Sequence, residues 1–268
     1  MKILIVISLL AALVFLYGLA ENRLMLITRH ESFGGNIKIV QISDLHRKKF
    51  GKGNKRLAER VRRENPDLIF ITGDITSRQC VKFSETDAFL SGIKDTAPIY
   101  MIFGNHEKDL EGEILKDFLS VLERNGVKIL KNTYETVNIK GRELKIYGLD
   151  EPYTVYKKDG HYRNLDVIDE KNMEQMLGKC PEGENLLLAH NPLFADKYAE
   201  WGADYTFSGH VHGGLVRLFG IAVLSPERKF FPKYSKGIYS FGGKKVLVSG
   251  GLGKMRLFNP PEIVVYEL

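Results

Sequence analysis

Five of the seven histidines in this chain, His46, His106, His190, His210 and His212, fall inside short motifs that also hold carboxylates, glycines and an asparagine. In order the motifs read Asp44-Leu45-His46, Gly73-Asp74, Gly104-Asn105-His106-Glu107, Ala189-His190-Asn191 and Gly209-His210-Val211-His212-Gly213-Gly214. An inventory of imidazole, carboxylate and amide oxygen without a thiolate suits two closely spaced divalent metals of the manganese, iron or zinc kind. Each motif has an ordinary alternative when taken alone: a capping aspartate, an asparagine in a left-handed turn, a hydrogen-bonded core histidine. The glycine-bracketed His-x-His and the neutral amide at a strand end are the hardest to explain in that way. All five together point to a metal site.

The elements that must position these residues can be read from the apolar pattern. A β-branched run over 37–42 ends at Ser43-Asp44, a second over 68–72 ends at Gly73-Asp74, and a third over 99–103 ends at Gly104-Asn105. Between them, 54–63 carries Leu57 and Val61 at helical spacing, and 85–94 is predicted as another helix. Strand alternating with helix is the rhythm of a mostly parallel sheet, with each motif just past a strand's carboxyl end. Residues 109–124 form an amphipathic helix stopped by Gly126. Short strands are predicted at 22–30, 127–130, 134–139, 144–147, 186–188, 205–207, 237–241, 245–248 and 263–266. That is too many for one comfortable open sheet, so two packed sheets flanked by helices are expected.

In kind and order the motifs resemble those of the calcineurin-like metallophosphoesterases, from residue 37 to the C-terminus. The resemblance implies an α/β fold, a four-layer α-β-β-α sandwich, and hydrolysis of phosphodiester or pyrophosphate bonds. Carried over motif by motif, it implies one metal on Asp44, His46, Asp74 and His212 and a second on Asp74, Asn105, His190 and His210, with manganese the expected ion. Asp74 would bridge, each carboxylate oxygen serving one ion. A water shared by the ions would become the attacking hydroxide for in-line displacement, with no covalent phosphoenzyme. His106 is not among the implied ligands; it is a candidate for protonating the departing oxygen or stabilising the transition state. Its alternative is a hydrogen-bonding role outside the metal shell.

Residues 3–20 are almost unbroken apolar sequence, interrupted only by Ser8 and Gly18, and long enough to span a bilayer. A cleaved signal peptide is the alternative, with Lys2 as its charged start and Gly18-Leu19-Ala20 as a cleavage site; the length of the run favours an uncleaved single-pass anchor. The expected organisation is an anchor over 1–21 and a metallophosphoesterase domain over 22–268. Arg23, Arg29 and Lys38 after the span argue for a cytoplasmic domain, whereas a start-like segment with so short a tail exports the domain attached to it; we expect export to the extracytoplasmic side.

A formal charge of +6 favours anionic partners, here a phosphate-containing small molecule or lipid together with the membrane. No nucleic-acid module is recognisable. Cys80 and Cys180 are isolated and read as buried free thiols. Three stretches could choose the substrate: the basic run from Arg47 to Arg56, with Arg47 nearest the metals; an exposed aromatic and basic loop over 153–162; and the apolar stretch 218–234, expected to pack between the sheets. The alternative for 218–234 is a membrane-dipping edge ringed by Arg228, Lys229 and Lys233. The N-terminal span and the Asn259-Pro260-Pro261-Glu262-Ile263 segment resemble a membrane-associated bacterial branch that includes cell-envelope phosphodiesterases and UDP-diacylglucosamine pyrophosphatases. A metallonuclease, a protein phosphatase and a non-catalytic membrane-bound binding protein remain as alternatives.

Overall fold

The computed structural model describes residues 2–161, 164–225, 230–254 and 256–268. Tyr162, Arg228 and Lys229, singled out above, lie outside the described residues. Along the chain the elements are α1 (Lys2–Leu24), β1 (Ile27–Ser32), β2 (Lys38–Ile42), α2 (Lys55–Arg63), β3 (Leu68–Thr72), α3 (Ser84–Ser91), β4 (Ile99–Ile102), α4 (Gly112–Arg124) and β5 (Val127–Ile129). They continue with β6 (Thr133–Ile139), β7 (Arg142–Gly148), α5 (Glu170–Leu177), β8 (Glu184–Leu188), α6 (Ala195–Trp201), β9 (Tyr205–Ser208), β10 (Val216–Leu218), β11 (Ile221–Leu224), β12 (Gly237–Phe241), β13 (Lys244–Val248) and β14 (Glu262–Glu267).

Two six-stranded sheets form, in the orders β1-β14-β2-β3-β4-β5 and β12-β13-β9-β8-β7-β6. The central strands of each are parallel, β2 through β5 in the first and β13, β9, β8 and β7 in the second. Alternation along the strands sorts the side chains into layers. Ile39, Leu68, Phe70 and Tyr100 face inward and meet Leu144, Ile146, Leu186, Phe207 and Leu247 of the other sheet. The alternate residues Val40, Ile42, Ile69, Ile71 and Met101 face outward and pack on Leu57, Val61, Phe89 and Phe118 of α2, α3 and α4. On the far side Tyr147 and Leu187 pack on Met173, Tyr198 and Trp201 of α5 and α6. The architecture is therefore the four-layer α-β-β-α sandwich that was expected.

Several local expectations are corrected. The strand predicted over 22–30 begins only at Ile27, because α1 runs on to Leu24. Among the described residues of 218–234, Leu218, Phe219, Ile221, Phe230 and Phe231 do not pack between the sheets but are exposed, since the intersheet space is already filled by the side chains just named, while Ala222 and Tyr234 are buried. The loop after β7 is partly internal, with Val155 and Tyr156 buried. Arg47 is exposed and donates to Gln79, whereas its neighbour Lys48 is buried. Cys80 and Cys180 are free thiols, half-buried rather than fully buried.

Helix α1 is long and apolar enough to cross a membrane. Its apolar face is exposed all round, but its last turn is not: Glu21 is fully buried, and its carboxylate accepts from the Phe258 amide (2.7 Å) and the Asn259 amide. Asn22 exchanges two hydrogen bonds with the Arg256 backbone, at 2.6 and 3.1 Å.

Candidate metal centre

Parallel strands place their carboxyl ends at one rim, and every motif of the series lies there. Asp44, Asp74 and Asn105 follow β2, β3 and β4, while His190 and His210 follow β8 and β9. The loops are laced together by their backbones: the Asp44 amide donates to the Gly73 carbonyl (3.1 Å), His46 to Asp74 (3.0 Å) and Gly209 to His190 (3.0 Å). Asp44, His46, Asp74, His210 and His212 all adopt left-handed backbone, with φ of 55°, 51°, 55°, 66° and 55°. Each such non-glycine residue costs about 1–2 kcal/mol, and strain of that kind persists where the surrounding structure enforces it at a functional site. Close approach also dictates two glycines. A Cβ at Gly104 would stand 2.3 Å from Asp74 Oδ1, and one at Gly209 would stand 1.8 Å from Ser43 Oγ.

The side chains converge in three overlapping groups, Asp44–His46–His212, His46–Asp74–His106 and Asp74–His190–His210. Asp74 Oδ2 lies 3.5 Å from His190 Nε2, 3.8 Å from His46 Nε2 and 4.0 Å from His106 Nε2. His46 Nε2 and His212 Nε2 are 3.2 Å apart, and His212 Nε2 is 3.4 Å from Asp44 Oδ1. Asp74 Oδ1 accepts the His106 amide at 2.8 Å, while Oδ2 faces both halves of the cluster.

The donor set fits divalent cations. His190 Nδ1 lies 2.7 Å from the Thr72 carbonyl, which holds the proton on Nδ1 and turns Nε2 towards Asp74. Buried His190 Nε2 and Asn105 Oδ1 have no hydrogen-bond partner. Leaving such atoms unsatisfied costs about 1–3 kcal/mol each, a cost that coordination removes. Burial lowers the His190 pKa, but the Asp74 carboxylate overrides it and lifts it to about 10. Asp74 is in turn held well below the usual carboxylate range by His190 and His46, against its own burial. A proton and a metal cation thus compete for the same position, and cation uptake releases a proton. Burial, with His46 and Arg256 nearby, keeps His212 well below its ordinary value, as a neutral ligand requires.

Some functional residues escaped the sequence reading. Glu107, quoted within a motif but given no role, is buried and ties two loops together. Its Oε2 accepts from the amides of Asp74 (2.7 Å) and Gly104 (2.9 Å), and its Oε1 from Thr76 (3.0 Å). Burial and the nearby Asp74 charge push its pKa up to about 8, against three N–H donors that favour the anion. Glu107→Ala should therefore destabilise the protein by about 3 kcal/mol or more, as three buried amides lose their acceptor; urea unfolding of the two proteins measures it. Behind His212, Arg256 Nη1 (3.0 Å) and Asn259 Nδ2 (2.7 Å) both donate to its carbonyl. Lys48 is buried close by, and burial together with the charges of Arg256 and Lys254 lowers its pKa to about 7. Glu151 accepts from Tyr198 (2.6 Å) and from Tyr156, whose ring packs 5.0 Å from that of His210. Nothing local in the sequence marked these residues, since Glu107 and Lys48 lie among other charged side chains.

The family model for calcineurin-like phosphoesterases matches residues 37–214, and the chain belongs to that family. It is accordingly a metal-dependent phosphoester hydrolase of a family that uses dinuclear divalent metals. Among relatives, it is 25% identical to the metallophosphoesterase YkoQ of Bacillus subtilis, with 87% of this chain and 83% of that one covered. It is 26% identical to the phosphodiesterase YaeI of Escherichia coli, covering 86% and 82%. Among solved structures, the phosphopantetheinyl hydrolase of Mycobacterium tuberculosis superimposes with a TM-score of 0.51 over 83% of this chain and 91% of that one, at 16% identity, a likeness of fold.

Proposed function

We propose that this protein hydrolyses phosphodiester or pyrophosphate bonds of a membrane or cell-envelope substrate, with manganese as the working ion. The observation that carries this reading is the convergence of ligand atoms on Asp74 Oδ2. Asp44, His46, Asp74 and His212 would hold one ion and Asp74, Asn105, His190 and His210 the other. Bound there, divalent cations supply acidification of a water and neutralisation of phosphoryl oxygens. Asp74 sets the spacing of the two halves, and the Glu107 and Thr72 hydrogen bonds fix the orientation of their ligands. His106 contributes a hydrogen bond from its Nε2–H towards the reacting phosphate.

Supporting a diester or pyrophosphate over a monoester, Arg256 Nη2 is a buried cationic atom and Lys48 Nζ a buried amine that a second anionic group would hold protonated, both without hydrogen-bond partners. The name of the relative YaeI points the same way. Membrane residence is supported by α1 and by a zebrafish relative described as a transmembrane protein with a metallophosphoesterase domain, 28% identical over 73% of this chain and 44% of that one. On this reading α1 is a single-pass anchor with the domain on the extracytoplasmic side.

Full-length protein loaded with Mn²⁺ and assayed against a diester, a nucleotide pyrophosphate, a monoester and single-stranded DNA tests the proposal. Turnover of a diester or pyrophosphate should exceed that of the monoester by roughly tenfold or more, about 1.4 kcal/mol of transition-state stabilisation. Preference for DNA or a phosphoprotein monoester would replace this reading with a nuclease or a protein phosphatase. A protein that binds metal and turns over none of these would be a binding protein.

A further inference from the structure

Among the described residues, the exposed phenylalanines outside α1 lie on and around one hairpin tied to the end of that helix. Hairpin β10–β11 turns at Phe219-Gly220, with Phe219 fully exposed and Ile221 60% exposed. Phe230 and Phe231 run along the open side of β11: Leu224 pairs with Phe230, and the Phe231 amide donates to the Val223 carbonyl at 3.1 Å. These two rings are 73% and 67% exposed. With Phe258, they and Phe219 are all the exposed phenylalanines outside α1 among the described residues. Scattered single apolar residues are ordinary on a protein surface, whereas a cluster of exposed phenylalanines marks a contact surface.

The attachments of that surface decide its neighbour. On its other side β10 is bonded to the 257 segment, since the Arg217 amide donates to the Leu257 carbonyl (3.0 Å) and the Leu257 amide to the Leu215 carbonyl (2.8 Å). The same segment is the one clasped by Glu21 and Asn22 of α1, and Tyr17 stacks on Phe258 with ring centroids 5.1 Å apart. The hairpin is therefore fixed, through one intervening stretch of chain, to the turn at which α1 ends. Helix α1 does not cover it, because the hairpin residues are exposed with α1 in place. Lys233, exposed nearby, supplies a positive charge of the kind that settles at anionic headgroups.

We propose that hairpin β10–β11, with Phe230 and Phe231, enters the phospholipid bilayer beside α1 as a second membrane contact. This rests on the reading of α1 as a membrane anchor. Two attachments set the orientation of the domain, where a lone helix leaves it free to swivel. The clasped segment also carries Arg256 and Asn259, which hold the His212 carbonyl. The metal centre then stands at the depth of the lipid headgroups, and the substrate class it serves is a phosphoester or pyrophosphate attached to a lipid.

The test uses full-length protein in phosphatidylethanolamine and phosphatidylglycerol vesicles whose acyl chains carry bromine, a quencher of indole emission. The native Trp201 is buried and serves as the background. Phe219→Trp, and independently Phe231→Trp, should show blue-shifted emission that the brominated lipid quenches. Tyr134→Trp, exposed on β6 of the other sheet's edge, should be left unquenched. Leu10→Trp, in the middle of α1, reports on the anchor alone. Quenching at Leu10→Trp with none at Phe219→Trp or Phe231→Trp overturns the second contact and leaves the anchor standing. Absence of quenching at all three overturns both. A blue shift without quenching at Phe219→Trp marks burial against a second copy of the chain and also overturns the proposal.

Discussion

Asp74→Asn is expected to abolish tight binding of both metals and nearly all hydrolysis. Asp74 Oδ2 faces His46 and His190 together, at 3.8 and 3.5 Å. An asparagine can keep the hydrogen bond that Oδ1 accepts from the His106 amide, so the backbone around it should hold. It cannot present an anionic oxygen to both halves of the site: whichever amide atom replaces Oδ2 is uncharged. Losing a hydrogen-bonding partner outside a metal shell already costs roughly 10–100-fold in affinity or activity, and loss of a shared anionic ligand should exceed that. Elemental analysis after dialysis, together with initial rates at saturating Mn²⁺, measures both effects. A variant that retains both ions and its rate would remove Asp74 from the centre of the site and with it the proposed mechanism.

His106→Ala is expected to slow hydrolysis by roughly a hundredfold while leaving metal content unchanged. Of the two roles the sequence left open for this residue, we propose the second, stabilisation of the transition state. The Arg78 amide donates to His106 Nδ1 at 3.3 Å, so the ring proton sits on Nε2, the atom turned towards Asp74. Burial, reinforced by His46 and Arg78 and opposed by Asp74, lowers the His106 pKa to about 4. At neutral pH the ring is therefore an uncharged N–H donor, able to stabilise charge on a phosphoryl oxygen but with little imidazolium to give up as an acid. The rate loss should accordingly be similar for nitrophenyl esters and for esters with poor leaving groups. A group protonated only below about 4 contributes no limb to the rate profile between roughly pH 6 and 9, so the variant's profile should keep the wild-type shape. A loss confined to poor leaving groups, or a vanished basic limb, would restore the acid role.

The backbone around the site is held by close packing and by bonds between loops. Five left-handed non-glycine residues are held against their own preference by backbone bonds between loops, by Glu107 and by the absence of a Cβ at Gly104 and Gly209. The supports come from several loops, Glu107 and Gly104 sharing the one after β4, so weakening any one relaxes ligands on another.

That the motif residues gather at one rim was legible in the sequence, because the signals are local. A β-branched run ends at a glycine or an acid, and alternation of strand and helix forces those ends to one rim whatever the details of packing. The apolar length of α1 was legible for the same reason, since a span of that kind needs only composition. What the sequence could not decide are contacts between residues distant in the chain, which depend on how the two sheets and α1 come together. Glu107 accepts amides from Asp74 and Thr76, across 33 and 31 residues; Asn259 grips the His212 carbonyl across 47; Glu21 reaches Phe258 across 237. Whether Arg47 or Lys48 turned inward, and whether hairpin β10–β11 was buried or bare, likewise turned on which volumes the other layers had already filled. Apolar composition says that a segment leaves water; only the tertiary structure says whether it packs within the protein or stands on its surface.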